Sequence, residues 1–136
     1  KKIERRKVLN NIENTSIYII RDFMATLRDF YGRSILTIES DTIKEFSGKI
    51  LYKINGNKVS DFYGRVLFDT SGNQIRDFYG KVLLKIESDT IKDFYGKVLY
   101  KYDNSYIKDF YGKILYKFDG FISHQSLLAL FAVLFA

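Results

Sequence analysis

Six acidic residues recur every 16 residues and are the most regular candidates for chemistry in this chain. They are Asp29, Glu45, Asp61, Asp77, Asp93 and Asp109. Paired carboxylates can act as general acid and base or bind a cation. Each of these acids also begins an Asp-Phe-Tyr-Gly segment or a close variant, and an aspartate that opens a turn accepts backbone N–H bonds. We therefore interpret the column as structural.

His124 is the single histidine, and Ser123 and Ser126 lie beside it. Residues adjacent in sequence do not form a catalytic triad, and the G-x-S-x-G segment of a nucleophile elbow is absent from the sequence. With one histidine and no cysteine, a nitrogen or sulfur metal site is not expected. The sequence predicts no catalytic residue, no metal ligand and no cofactor, so we expect a protein that is not an enzyme.

The aromatic pairs in the same segments are the remaining candidates for a binding surface. Their tyrosines are Tyr31, Tyr63, Tyr79, Tyr95 and Tyr111, and Phe46-Ser47 is the one departure. Clustered tyrosines flanked by Lys or Arg can stack on bases or sugars, or contact a protein. In the competing interpretation, which the sequence favours, each phenylalanine turns inward to close the core and each tyrosine packs on its neighbour.

The charge distribution argues against nucleic acid as a partner. The chain has 136 residues and a formal charge of +6, but residues 1–8 alone carry +4 and the other 128 residues only +2. A domain that binds a polyanion is expected to carry its basic excess on the folded surface. The 46% hydrophobic content excludes a wholly disordered chain, and the length fits one domain.

A 16-residue repeat organises the chain. The segment ends at Gly32, Gly48, Gly64, Gly80, Gly96 and Gly112. Six units thus occupy residues 27–122, after an irregular, basic N-terminal cap with a degenerate repeat at 1–26 and before an apolar segment at 123–136. We expect these three parts to form one domain.

Each unit holds two short runs of β-branched and aromatic residues between two turns, which predicts a β-hairpin. Pairs such as Asn55-Gly56 and Asp119-Gly120 indicate two-residue loops. Asp61 to Gly64 is predicted to be a four-residue loop, because a three-residue loop would turn the apolar side chains to the other face. One face then carries Ile, Val and Tyr, and the other carries Lys, Arg, Thr and a row of leucines: Leu51, Leu67, Leu83, Leu99 and Leu115.

An open sheet of about twelve such strands would leave unpaired edges and an uncovered apolar face. The sequence therefore predicts a mainly β protein, with six hairpins in an antiparallel up-and-down, closed or radial arrangement resembling a barrel or a β-flower. A β-solenoid with 16 residues per coil is the alternative architecture. Tight two-residue loops favour the hairpins.

The C-terminal segment is predicted to be an apolar helix. Ser123 can cap it, and residues 127–136 are apolar without interruption. A helix of residues 124–136 would span about 20 Å, too short for the ~30 Å core of a bilayer, so a membrane partner is not expected. A helix that is apolar all round must be buried. We expect burial in its own β core or against another subunit, through Leu127, Leu128, Leu130, Phe131, Leu134 and Phe135.

The consensus I-[KR]-D-F-Y-G-K-V-L-Y-K-I-D-G-N and the ending D-G-F-I-S-H-Q-S-L-L-A-L-F-A-V-L-F-A resemble small bacterial tandem β-hairpin repeat proteins of the Bacteroidetes type. They are more distantly similar to the 4-fold β-flower proteins, whose hairpins surround a pseudo-symmetry axis. The resemblance covers residues 27–136. It implies a radial arrangement of hairpins but no activity and no site residues.

Two functional hypotheses follow from these observations. The first is a non-enzymatic structural or interaction module that forms a homo-oligomer through its C-terminal helix or a repeat face. The second is a ligand-binding module that uses the loop tyrosines for a glycan or a single-stranded nucleic acid.

Overall fold

A computed structural model describes residues 24–136, which form twelve β-strands and one α-helix. The first six strands are β1 (Met24–Asp29), β2 (Ser34–Glu39), β3 (Thr42–Glu45), β4 (Ile50–Asn55), β5 (Lys58–Asp61) and β6 (Val66–Asp69). The others are β7 (Gln74–Asp77), β8 (Val82–Glu87), β9 (Thr90–Asp93), β10 (Val98–Tyr102), β11 (Tyr106–Asp109) and β12 (Ile114–Gly120). A short 3₁₀ turn, Ser71–Asn73, joins β6 to β7, and α1 is His124–Phe135.

The strands form a closed antiparallel barrel in which each strand pairs with its neighbours in sequence. The barrel closes where β12 pairs with β1, for example Phe118 with Leu27. Side chains alternate between the inner and outer faces of each strand. On the inner face, the side chains at one position of five successive repeats are fully buried: Ile43, Val59, Ile75, Ile91 and Ile107. The predicted fold of antiparallel hairpins in a closed arrangement is confirmed, and the solenoid is excluded.

The Asp-Phe-Tyr-Gly hairpins differ from the predicted register. Asp61 N–H donates to the carbonyl of Arg65 at 2.9 Å, so the loop has three residues, Phe62 to Gly64, and the prediction of four was wrong. Ser60 pairs with Val66, whereas Val59 pairs with Phe68. This leaves Leu67 as the extra residue of a β-bulge, and the bulge restores the apolar face that a three-residue loop alone would invert.

The same bulge occurs in the other five hairpins of this kind. The bulged residues are Ile35, Leu51, Leu83, Leu99 and Leu115. The leucine row therefore marks the bulges rather than an outer face. Leu51, Leu83 and Leu99 are half-buried and pack against the core.

The two-residue loop predicted at Asn55-Gly56 lies one position later, and Asp119-Gly120 is not a loop but the end of β12. Asn55 pairs with Lys58 and Ile54 with Val59, so the loop is Gly56-Asn57 rather than Asn55-Gly56. Gly56 has φ +59°, a left-handed conformation that glycine adopts without steric cost. Ile54 and Val59 still share the core face, as predicted.

Helix α1 lies inside the barrel. A barrel of about eight strands is filled by its own side chains, whereas twelve strands enclose a wider lumen. A helix with side chains, about 10 Å across, fits such a space. Contacts to opposite walls fix its place: Ser126 Oγ donates to the carbonyl of Ser40 at 3.0 Å, and Phe135 stacks on Tyr100 with ring centroids 4.0 Å apart.

The start of α1 is tied to the turns at one end of the barrel. The Ser123 hydroxyl accepts the N–H of Ser126 at 3.1 Å and so caps the helix, as predicted. Gln125 Nε2 donates to Thr70 Oγ1 at 2.6 Å. The helix then runs to the opposite end, where Phe135 lies near Tyr116.

The structure places the six apolar helix residues in their own barrel. Leu128, Leu130 and Phe131 are buried, and Leu127, Leu134 and Phe135 are half-buried against the same core. Within residues 24–136, no helix is both long and apolar enough to cross a membrane. Residues 1–23 of the predicted N-terminal cap lie outside the described residues, and residues 24–26 form the first half of β1.

Candidate functional site

The six Asp-Phe-Tyr-Gly loops lie together at one end of the barrel, opposite the end where α1 begins. In the loop of Asp61, the carboxylate Oδ1 accepts the backbone N–H groups of Tyr63 and Arg65, both at 2.9 Å. The N–H of Gly64 donates to the Asp61 carbonyl at 3.0 Å, which closes a type I turn. Gly64 itself has φ +87°.

Four other loops repeat this geometry with the same two backbone bonds, at 2.9–3.0 Å. Their acids are Asp29, Asp77, Asp93 and Asp109. Glu45 differs, because its carboxylate accepts the hydroxyl of Ser47 at 2.5 Å. The column of acids is thus the set of turn-forming residues that the sequence predicted. Across residues 24–136, no three or more His, Cys, Asp or Glu side chains form a group that could hold a metal ion.

The turn bonds lower the pKa of Asp61 below its ordinary value of 3.8. The backbone N–H of Arg65 contributes most, partial desolvation opposes it, and the side chain of Arg65, 3.0 Å away, adds to the lowering. A carboxyl whose pKa is lowered on folding stabilises the fold at pH above its unfolded pKa. That stabilisation is lost as the pH falls through the folded pKa.

We expect Asp61→Asn to remove this pH dependence at one loop. The amide oxygen can still accept both N–H groups, but the charge is gone, so the variant melts at a lower temperature than the parent at neutral pH. The difference shrinks as the pH falls from about 5 to about 2, because the parent then loses its own charge. Melting temperatures of both proteins over this range test the prediction. A difference that does not change with pH would contradict it.

The aromatic side chains of the loops are exposed. Tyr63 is 88% exposed and Phe62 51%, and their rings meet edge to face with centroids 5.3 Å apart. The favoured interpretation, in which each phenylalanine closes the core from inside, was therefore wrong. In a three-residue loop, both aromatic positions lie beyond the last strand pair and outside the lumen. Lys53 Nζ lies 5.7 Å from the Phe62 ring centroid, on the outer wall.

The aromatic rim is defined here as the eleven exposed aromatic side chains of the six loops. It comprises Phe30, Tyr31, Phe46, Phe62, Tyr63, Phe78, Tyr79, Phe94, Tyr95, Phe110 and Tyr111. Their exposure ranges from 51% to 90%. The structure thus brings all five predicted tyrosines to one end, together with phenylalanines that sequence reasoning had assigned to the core.

A basic residue follows each loop glycine and is exposed beside the rim. These are Arg33, Lys49, Arg65, Lys81, Lys97 and Lys113. The acids are half-buried in their turns; the side chain of Asp61 is 16% exposed, against 79% for Arg65. Each loop therefore presents an aromatic surface and a cation outward and keeps most of its carboxylate covered.

The serine and histidine residues near the start of α1 hold the helix in place. His124 Nε2 lies 2.8 Å from Asn73 Oδ1, and the hydroxyls of Ser123 and Ser126 are 3.0 Å apart. Ser126 is buried and donates to the Ser40 carbonyl. His124 and Ser126 thus contact the turns that surround the helix N-terminus, whereas Ser123 caps the helix itself.

Fold and rim together define the class of this protein: a twelve-stranded β-barrel with a helix in its lumen and aromatic loops at one end. The chain matched no family model, no curated protein and no solved structure. Its relation to Bacteroidetes-type hairpin repeats and to β-flower proteins stays a prediction.

Proposed function

We propose that this chain is a non-enzymatic interaction module that associates with a second copy of itself through the aromatic rim. The observation that carries the proposal is the exposure of eleven aromatic side chains on six loops at one end of the barrel. Exposed large aromatic side chains concentrated at one end of a domain are typical of an interaction site. Tyrosine, phenylalanine and arginine are also enriched in protein interfaces.

The area of the rim fits a protein–protein contact. Because an aromatic side chain buries 150–250 Å², the exposed part of the rim amounts to roughly 1,500 Å². An interface of standard size takes about 800 Å² from each partner. Two rims facing each other could therefore bury enough surface for a stable dimer without every loop taking part.

The charges of the rim permit a second copy as the partner. Each loop carries one acidic and one basic residue, so its net charge is zero. Arg33 already lies over the ring of Tyr31, with Cζ 5.4 Å from the centroid, and cations of one rim can contact aromatic rings of the other in the same way. The contact is assigned to the loops rather than to α1, because the middle of the helix is buried in its own barrel.

We expect the double variant Tyr79→Ser/Tyr95→Ser to weaken the dimer about a thousandfold or more, because it removes four tyrosines from a dimer of two copies and aromatic residues at an interface centre contribute about 1–2 kcal/mol each. Sedimentation or light scattering over a concentration series measures the effect. Phe121→Ser is the matched control, since Phe121 is 69% exposed but lies at the opposite end. A parent protein that is monomeric at every concentration, or a control that weakens the dimer equally, would refute the proposal.

Ligand binding by the loop tyrosines is the second candidate, favoured by exposures close to 90% at Tyr79, Tyr95 and Tyr111. Flat, exposed rings next to cations can stack on sugars or bases. A binding panel of glycans and oligonucleotides at low and moderate salt separates the two functions. Retention of one ligand by the monomeric parent, and its loss in Tyr79→Ser/Tyr95→Ser, would favour this candidate over self-association.

A further inference from the structure

The strand register places basic side chains directly opposite one another on one half of the outer wall. Lys85 pairs with Lys92, Lys101 with Lys108, and Lys117 with Arg28. These six residues, here called the basic belt, lie on β8, β9, β10, β11, β12 and β1, which are consecutive around the barrel. They point outward, because their sequence neighbours Ile86, Ile91, Ile107, Phe118 and Leu27 are buried inside.

Equivalent positions on the other half of the barrel lack this concentration. The corresponding cross-strand pairs are Thr37 with Lys44, Lys53 with Ser60, and Asp69 with Arg76. None of these three pairs joins two basic residues. The belt is therefore not a necessary product of the repeat, and like charges opposite each other destabilise a sheet.

Carboxylates neutralise only part of the belt. Glu87 binds Lys92 at 2.7 Å, and Asp119 binds Arg28. Among the residues that the structure describes, no carboxylate forms an ion pair with Lys85, Lys101, Lys108 or Lys117. Lys101, Lys108 and Lys117 lie on three neighbouring strands, and Lys85 lies two strands from Lys101. Their compensation is weaker than an ion pair: the charge of Lys85 helps to lower the pKa of Glu87, and that of Lys108 the pKa of Asp103.

Aromatic rings lie beside these cations. Lys85 Nζ is 5.3 Å from the ring centroid of Phe94, which is 53% exposed, and Lys108 Nζ is 5.9 Å from that of Tyr106. Proteins bind single-stranded nucleic acid with a row of cations that contact its phosphates and with aromatic side chains on which its bases stack. A polyanion without bases would bind through the cations alone and would gain nothing from the aromatic rings.

The shape of the wall favours a flexible strand. Three of the five steps between neighbouring strands lead directly across, whereas Lys101 lies opposite Thr90 and Lys117 opposite Tyr106, each two residues from the preceding lysine of the belt. With about 4.8 Å between strands and about 3.3 Å per residue along a strand, the belt is about 30 Å long, and it curves around about half of the barrel. A rigid duplex would touch only part of a convex curved wall, whereas a single strand can follow it.

We propose that the basic belt binds single-stranded nucleic acid, with its cations on the phosphates and the neighbouring aromatic rings on the bases. The proposal concerns the outer wall and does not require self-association through the rim, although Phe94 belongs to both surfaces. The nearly balanced charge of residues 9–136 argued against nucleic acid, but that argument counted charges along the chain, and the register aligns six basic side chains in one band across six neighbouring strands.

The test uses the full chain and a fluorescent 20-nucleotide oligothymidylate. The affinity should fall with salt with a logarithmic slope of about −4, from six phosphate contacts at about 0.7 each. Lys101→Gln/Lys108→Gln should reduce this slope by about 1.4 and the affinity about 25-fold at 0.1 M salt. The melting temperature of the free variant should rise, because a repulsive pair is removed, so lost binding cannot be attributed to misfolding.

Two controls make the test specific. Lys49→Gln/Lys53→Gln removes the same charge just before β4 and on it; β4 lies across the barrel from β10, so slope and affinity should be unchanged. An abasic oligomer of equal length should bind more weakly than the oligothymidylate, because it has no bases to stack.

Other outcomes would overturn the proposal. Equal losses in the β4 control would show that binding depends on overall charge. Binding that survives in Lys101→Gln/Lys108→Gln but disappears when Lys1, Lys2, Arg5, Arg6 and Lys7 are all changed to Gln would assign it to the N-terminal arm. Equal affinity for the abasic oligomer, or tighter belt-dependent binding of a sulfated polysaccharide, would identify a ligand of a different class.

Discussion

Leu130→Asp should strongly destabilise the barrel. Leu130 is fully buried at the middle of α1, inside the barrel and within the single apolar core that also contains Ile43, Ile75 and Ile107. A carboxylate there would have no cation or hydrogen-bond donor to replace its water. A buried charge without a partner costs about 3–5 kcal/mol, which is a large part of the 5–15 kcal/mol by which domains are stable.

The effect is measured as the melting temperature and the solution mass of the variant. Ala136→Asp is the matched control, because it adds the same charge at the exposed last residue of the chain, and it should change the melting temperature little. If Leu130→Asp melts like the parent, α1 does not fill the barrel. The alternative from the sequence, in which the helix packs against another subunit, would then replace burial in its own barrel.

Apolar periodicity was sufficient to predict the barrel, because the buried positions are strongly specified. Ile43, Val59, Ile75, Ile91 and Ile107 occupy one position of successive repeats, and all are fully buried. An apolar helix of the right length supplied the missing core. Closure followed from the cost of unpaired edges.

The lengths of the Asp-Phe-Tyr-Gly loops could not be predicted as well, because two different arrangements place the same side chains on the core face. A four-residue loop, and a three-residue loop with a bulge, both return Val59 and the next strand to the core face. Leu67 could have indicated the difference, since an apolar residue on a polar face has no evident partner there. The loop length then decides where Phe62 points, and this error moved the phenylalanines from core to surface.

The basic belt was beyond sequence reasoning for a different reason. Lys101 and Lys108 are seven residues apart in a chain whose body is nearly neutral, and only the pairing of β10 with β11 places them opposite each other. Arg28 and Lys117 meet only because the barrel closes. Charge counted along a sequence cannot show such a surface until the register is known.

Closure also makes Gly120 the glycine whose substitution should be most damaging. The sequence suggested a turn at Asp119-Gly120, but Gly120 ends β12 and pairs with Ala25 at the seam with β1. Its φ is +101°. A Cβ at this position would overlap the carbonyl oxygen of Met24 and lie 3.1 Å from the Cα of Ala25. Both are backbone atoms, so no side chain can move aside to accommodate it.

We therefore expect Gly120→Ala to destabilise the protein by about 3 kcal/mol or more, from backbone overlap added to the strain of a left-handed conformation. Gly64→Ala is the matched control: its φ is +87°, but nothing lies within 4 Å of the added Cβ, so only the strain of about 1–2 kcal/mol remains. Chemical denaturation of both variants measures the two losses. Because the β1–β12 pairing alone closes the barrel, the seam should open before the other hairpins, and amide exchange should rise first at Phe121, whose N–H donates to the carbonyl of Met24 across the seam. The N–H of Phe118 donates to the carbonyl of Ser105 instead, so its exchange should rise later. Equal losses in the two variants would show that left-handed strain, and not the close approach of β1 to β12, sets the requirement for glycine at position 120.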